Sequence, residues 1–391
     1  MAHKSLTICM CAKDESEKIR ETLAQVIHLA DELVIGIDET STDDTWSIAN
    51  SYADRVGKLE TYRYKWKDDF SAMRNECLKH SSQDLVLMID GHDFIEPSSI
   101  KTLEKILSSD FLPDHVNVID GIMQDPVHED GSVSAYMRPM VFRRLKNGKG
   151  QAGTEDGVHF ELPIHNVIGE ERKSRLFARG LVSEHRQPPE RQKTRKAQRK
   201  GMNVAGLKQK IEDDPNDARS IFYLARTYDE MGDTDEAEKW FLKHLDVANF
   251  PDEEYQSKMQ LAVIHIRRFE KTQNQAFLVK AKKIMLTAFE QNIPRNDHVI
   301  MLGDIARAQN SFPEAAHWYR IAAAYKEPYV FLFVMRNSYQ WLPWERLAVA
   351  CANFGQFDEG IAAIRKALEY RPQETKYYSL LAQLTKAKEV Q

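Results

Sequence analysis

Near residue 200 the chain changes the period of its apolar residues, and this switch restricts it to two halves of different architecture. Before the switch, short apolar runs alternate with helical stretches. LTICMCA (6–12), ELVIGID (32–38) and LVLMID (85–90) read as strands, and 59–64 reads as another. Between them, residues 16–29 place Ile19, Leu23, Val26 and Ile27 on one helical face. TSTDDTWSIANSYA opens with the Ser, Thr and Asp residues that suit a helix N-cap, and 69–80 carries Phe70, Met73 and Leu78. This β-α-β-α order predicts an α/β fold, a mainly parallel sheet with helices on both faces.

After about Asn203 the pattern becomes helices joined by short turns. Residues 217–247 carry Leu224, Ala225, Tyr228, Gly232, Ala237, Trp240 and Phe241 where a tetratricopeptide helix pair wants small and aromatic side chains. Residues 298–325 repeat the arrangement with Leu302, Gly303, Ala306, Ala315 and Trp318, and 346–372 give a third copy around Gly355, Gly360 and Ala367. The stretch 254–291 reads as a degenerate pair. Such pairs bury their apolar faces on one another, so an all-α, tetratricopeptide-like helical solenoid is expected. It has two readings of equal weight: a support that covers the first domain's flank or holds a homodimer, or a groove for a partner. The expected boundaries are 1–185 for the α/β domain, 186–202 for a basic linker helix and 203–391 for the repeats. The linker holds seven Lys or Arg residues between His185 and Gly201 against one acid, Glu190. A solvated helix explains that run; an anionic ligand is the sharper alternative.

Composition narrows the function classes. A net charge of -5 and a pI near 6.3 argue against wholesale nucleic-acid binding, while leaving room for a local basic patch. Cys9, Cys11, Cys77 and Cys351 lack zinc spacing, and Cys9 and Cys11 would share one strand face, so no disulfide framework is expected. MAHKSLTICMCAKDE is neither a secretory signal nor an anchor, and no window approaches the roughly 18 to 20 apolar residues that span a bilayer. These features predict a cytoplasmic protein without a membrane partner.

LVLMIDGHDF (85–94) ends a buried-type run in two carboxylates and an imidazole. Strand ends in α/β sheets are where ligands bind, so a ligand or metal site competes here with a plain turn.

Four elements in order resemble a family 2 glycosyltransferase of the GT-A fold, of the bacterial and phage type with C-terminal tetratricopeptide repeats that includes peptide S-glycosyltransferases. They are CAKDE at the end of the first strand, IDETSTDDT (37–45), FSAMRNECLKHSSQDLVLMIDGHD with its Arg-Asn helix and Asp-x-Asp-type strand end, and IHNVI where many members have His-Glu. The resemblance implies a nucleotide-diphosphate sugar, with a uridine nucleotide expected, lying across the strand ends. Cys11 and Ala12 would line the nucleoside cleft with Asp14 and Glu15 at its edge. Asp38 would accept a hydrogen bond from the base and Arg74 would donate one, each against the alternative of a cap or turn role for Asp38 and an ion pair with Asp68 or Asp69 for Arg74. Asp90-Gly91-His92 stands in the place of Asp-x-Asp, an Asp-x-His variant, so Asp90 and His92 are expected to hold a divalent cation. His185 is the third expected ligand, with His165 its rival. Imidazole in place of a carboxylate favours Mn²⁺ over Mg²⁺, which strongly prefers oxygen.

One departure affects the chemistry. An inverting transferase needs a carboxylate to take the acceptor's proton, and His165 is followed here by Asn166, which cannot act as a base. Of the neighbouring carboxylates Glu155, Asp156 and Glu161, the expectation falls on Asp156 or Glu161. The acceptor is expected to be a peptide, protein or other molecule held partly by the repeats. Two rival readings are a repeat scaffold that has lost catalysis and a transferase acting on modified bases of nucleic acid.

Overall fold

The computed structural model describes residues 4–67, 69–108, 112–127, 132–144, 158–161, 167–168, 174–186, 204–291, 293, 295–328 and 333–390, with the backbone alone at 167–168. Two compact units result: Met1–Pro126 with Ala135–Pro188, and Val127–Ser134 with Pro189–Gln391.

In the first unit, β1 (Leu6–Ala12), β2 (Glu32–Asp38), β3 (Lys58–Tyr64) and β4 (Leu85–Asp90) run parallel in the order β3-β2-β1-β4. β1 and β2 are apolar almost throughout because both faces are covered. Side chains of one parity in β1, Leu6, Ile8 and Met10, join Leu33, Ile35, Leu87 and Ile89 in a core against α1 (Ile19–Val26). The other parity, with Cys9, packs beside Val34, Cys77, Val86 and Met88 under α3 (Phe70–His80). Each fully buried Ile, Leu or Met contributes about 1.5 to 3 kcal/mol, so the central strands are fixed in register. All four cysteines are free thiols.

Helix α2 (Thr45–Asn50) follows the Ser/Thr/Asp turn, and Asp69 caps α3 by accepting from the Ala72 N–H at 3.0 Å. The sheet continues past β4 in a way that local periodicity does not specify. Here β7 (Ser134–Arg143) runs antiparallel between β4 and β6 (Val118–Gln124), β10 (Arg175–His185) lies parallel to β6, and the three-residue β5 (Asp93–Ile95) pairs antiparallel with β10. Helix α4 (Pro97–Leu107) packs Leu103 and Ile106 into the first core, and β8 (Phe160–Glu161) and β9 (Val167–Ile168) form a separate antiparallel pair. The parallel strands end together at Ala12, Asp38 and Asp90, and the short β5–β10 ladder brings residues from far along the chain to that same edge.

The second unit is a succession of helix pairs. They are α5 (Ala218–Met231) with α6 (Thr234–Val247), α7 (Pro251–Thr272) with α8 (Gln275–Glu290), α9 (Asp297–Ala308) with α10 (Phe312–Ala323), and α11 (Leu342–Asn353) with α12 (Phe357–Tyr370), followed by α13 (Thr375–Val390). The stretch read as degenerate is a complete pair whose first helix has 22 residues. Capping follows the sequence: Asp217 accepts from the Ser220 N–H and Asp233 from the Glu236 N–H, while Gly232 ends α5 at φ 82°. Small residues let the helices approach. At Gly303 an added Cβ would stand 2.4 Å from the ring of the fully buried Tyr319, so this position admits no side chain without displacing the ring.

Candidate metal and donor site

The site begins where β4 leaves the core. The Asp90 N–H donates to Asp93 Oδ2 at 2.9 Å, which closes a tight turn over Gly91 and His92 and starts β5. Because β5 pairs with β10, Asp93 stands opposite His185, and His185 Nδ1 lies 3.2 Å from Asp93 Oδ1. On the other side, His92 Nδ1 lies 3.0 Å from Glu15 Oε1. The two imidazoles meet edge to face, with His92 Nε2 and His185 Nε2 3.3 Å apart.

Glu15 is fixed by its surroundings. Its N–H donates to Thr45 Oγ1 at 2.7 Å, its carbonyl accepts from the Lys18 and Ile19 N–H groups, and its side chain runs across Gly91. A Cβ at Gly91 would stand 2.9 Å from Glu15 Cγ, so the glycine between Asp90 and His92 leaves room for the carboxylate that holds His92. The adjoining loops are bound together as well. Asp14 takes a positive φ of 52° and accepts from the Thr42 N–H at 2.8 Å, and Asp43 accepts from the Ser16 N–H at 2.9 Å. Burial works against ionised Asp43, but its hydrogen bonds from Ser16 and Thr45 hold the carboxyl well below the usual range.

Two guanidiniums face the carboxylates. Arg138, reaching in from β7, donates from Nη1 to Asp93 Oδ2 and from Nη2 to Asp90 Oδ2, both at 3.0 Å, and Arg74 Nη2 lies 3.4 Å from Asp90. Burial disfavours the charged form of Asp90, yet Arg138 first, then Arg74 and the imidazoles, hold its carboxyl far below the ordinary value. His92 is raised from its ordinary value: burial opposes the charge, while the hydrogen bond with Glu15 and the charges of Asp90, Glu15 and Asp93 favour it.

Asp90, His92, Asp93 and His185 each present a ligand atom, all within 4.8 Å of one another. The chemistry of this donor set suits a divalent transition cation. A carboxylate on each Nδ1 favours the tautomer that leaves the Nε2 lone pair available, the usual arrangement behind metal-bound histidines. Imidazole with carboxylate fits Mn²⁺ and related ions better than Mg²⁺.

The other expected residues are placed as follows. Cys11 lies between Gly36 and Asp90 in the sheet register, half-buried, with Sγ 3.9 Å from the Met73 carbonyl; Ala12 is buried opposite Ile37. Asp38 is buried, accepts from the Thr40 N–H at 2.7 Å and lies 3.7 Å from Lys13 Nζ. Arg74 faces Asp90 rather than Asp69, and its guanidinium lies 5.4 Å from the centre of the Phe160 ring. Glu161, next to Phe160, is half-exposed and 3.3 Å from His159 Nε2. Asp68, Glu155, Asp156, His165, Asn166 and the basic stretch from 187 to 203 lie outside the described residues. Sequence reasoning assigned no role to Asp93 or Arg138. Asp93 sat in view within LVLMIDGHDF, but Arg138 is 48 residues from Asp90 and carries no local signal.

Residues 7–160 match the family model described as glycosyl transferase family 2, and residues 209–239 and 343–374 match tetratricopeptide repeat models. The chain is 27% identical over 128 residues to the succinoglycan biosynthesis protein ExoU of Rhizobium meliloti, covering 32% of this chain and 37% of ExoU. It is 34% identical over 92 residues to a TPR repeat-containing protein of Synechococcus elongatus, covering 24% and 21% respectively. The matched regions thus span well under half of either relative. Among solved structures, YrrB, a TPR protein with an unusual peptide-binding site, aligns at 15% identity and a TM-score of 0.37, covering 47% of this chain and 84% of its own. MamA aligns at 18% identity and a TM-score of 0.34, covering 44% and 90%. No described helix is long and apolar enough to cross a membrane.

Proposed function

We propose that this chain, which carries a family 2 glycosyltransferase domain followed by tetratricopeptide repeats, moves a sugar from a nucleotide-diphosphate donor to an acceptor with the help of a divalent cation. The observation that carries the reading is the convergence of Asp90, His92 and His185 at the strand ends, where the two imidazole Nε2 atoms lie 3.3 Å apart. Those three residues would hold the cation, Mn²⁺ by the chemistry of the donor set, which when bound supplies a Lewis acid for the charge that grows on the departing diphosphate. Asp93 acts behind His185 as Glu15 acts behind His92. Arg74 and Arg138 offer the diphosphate further positive charge from the protein itself.

The nucleoside would lie over Cys11 and Ala12, with Asp14 at its edge and Asp38 accepting from the base; a uridine nucleotide suits a buried acceptor at that strand end. Glu161 is the described carboxylate that we assign to taking the acceptor's proton, since its neighbour Phe160 lies beside Arg74. Glu161→Gln is then expected to lower transfer while leaving donor binding intact; unchanged transfer would move the role to Asp156. A peptide or protein is the acceptor class that a helical-repeat surface fits.

The deciding experiment follows release of free nucleoside diphosphate from a panel of nucleotide sugars, with Mn²⁺, with Mg²⁺ and with chelator. Metal-dependent release from one donor is expected. Donor binding without release under every metal, with peptide acceptors supplied, would instead favour a scaffold that has lost catalysis.

A further inference from the structure

The strand-end carboxylates are already paired with cationic side chains of the protein. Arg138 takes one oxygen of Asp90 and one of Asp93, both at 3.0 Å, and all three side chains are largely or fully buried. Its position on β7 places it for this contact: Arg138 stands opposite Gly121 of β6 in the antiparallel ladder, just past a register shift between Ile119 and Asp120. An entering cation therefore meets Asp90 with one oxygen engaged by a guanidinium and with Arg74 alongside, rather than a bare carboxylate. A guanidinium and a divalent cation compete for the same lone pairs, and two positive charges at one buried carboxylate repel strongly.

We propose that Arg138 is a resident counter-cation that competes with the divalent metal for Asp90 and is drawn off by the donor's diphosphate, so that metal binds tightly only together with the nucleotide. The inference rests on the donor reading above and adds an order of assembly to it. With neutral imidazoles, Asp90, Asp93 and Glu15 carry three negative charges against two on Arg74 and Arg138, so a divalent ion alone leaves the pocket net positive. The diphosphate brings the missing negative charge and offers the guanidinium new acceptor oxygens, which frees Asp90. Arg138 is thus a positioning residue that sets when the site is ready for metal.

Calorimetric titration of the full chain with Mn²⁺ tests this, for wild type and Arg138→Gln, each alone and with uridine diphosphate. Wild type is expected to bind Mn²⁺ about tenfold or more tightly with the nucleotide than without it, within the usual range of coupling between linked sites. Arg138→Gln is expected to bind Mn²⁺ alone about tenfold more tightly than wild type and to lose most of the nucleotide dependence. Should the glutamine variant fail to fold, Arg138→Met is the substitute, and the wild-type comparison needs no variant. Equal or weaker Mn²⁺ binding by a folded variant would overturn the inference, as would wild-type affinity indifferent to the nucleotide. Failure of every nucleoside diphosphate to bind would count against the donor reading and the coupling, while the metal-alone comparison would still decide whether Arg138 competes for Asp90.

Discussion

His92 and His185 bring their Nε2 atoms to within 3.3 Å of each other, and each ring is held from behind by a carboxylate, Glu15 on one and Asp93 on the other. Two such nitrogens have little reason to converge unless they share a proton or a cation, and the paired carboxylates fix both rings in the orientation that does either.

Glu15 should therefore matter to metal binding without touching the metal. Glu15→Gln keeps the size of the side chain but turns an obligate acceptor into an amide that can present a donor to Nδ1 of His92. Mn²⁺ affinity, measured by titration with uridine diphosphate present, is expected to fall about 10- to 100-fold with the melting temperature little changed. Unaltered affinity would show that His92 is oriented by something else.

Gly91→Ala tests the same contact from the other side. The new methyl group would press on Glu15 at 2.9 Å, close to the backbone end of a side chain that is buried and tied to His92. A loss of about 1 to 3 kcal/mol in denaturant unfolding is expected, the range for overpacking, together with weaker Mn²⁺ binding. A variant as stable as wild type with full metal affinity would contradict the packing described.

His92→Asp would make both proposed strand-end ligands carboxylates. Replacing imidazole by hard oxygen is expected to shift metal preference toward Mg²⁺, read as the ratio of Mg²⁺- to Mn²⁺-supported nucleoside diphosphate release. The new carboxylate also faces Glu15, so lower overall affinity should accompany the shift. An unchanged ratio would remove His92 from the ligand set.

The repeats should be acid-sensitive. Burial pushes His244 and His298 down to about 4, with Arg295 adding to the effect on His298, whereas an imidazole in the unfolded chain titrates near ~6.5. Below ~6.5 the unfolded chain takes up protons that the folded chain refuses, so the stability is fully present above that pH and declines as pH falls toward 4. The loss is roughly 3 kcal/mol per imidazole across this window. Helical signal in equilibrium unfolding at pH 7, 5.5 and 4.5 checks it, and His298→Gln should flatten the slope.

The amino-acid sequence by itself determined the two architectures and pointed to where the candidate site lies. Continuous apolar runs such as LTICMCA specify strands buried on both faces, the small-residue spacing around Gly303 specifies helix pairs, and both signals are local. Asp90 and His92 were legible for the same reason, as polar residues at the end of an apolar run. Tertiary structure alone decided the rest. Glu15 reaches His92 across 77 residues because the loops after β1 and β4 share one sheet edge, and His185 meets Asp93 because a three-residue strand pairs with β10. Arg138 enters from an antiparallel strand that local periodicity does not announce. Such contacts depend on strand order and register, which are set by burial summed over the whole sheet rather than by any stretch of neighbouring residues.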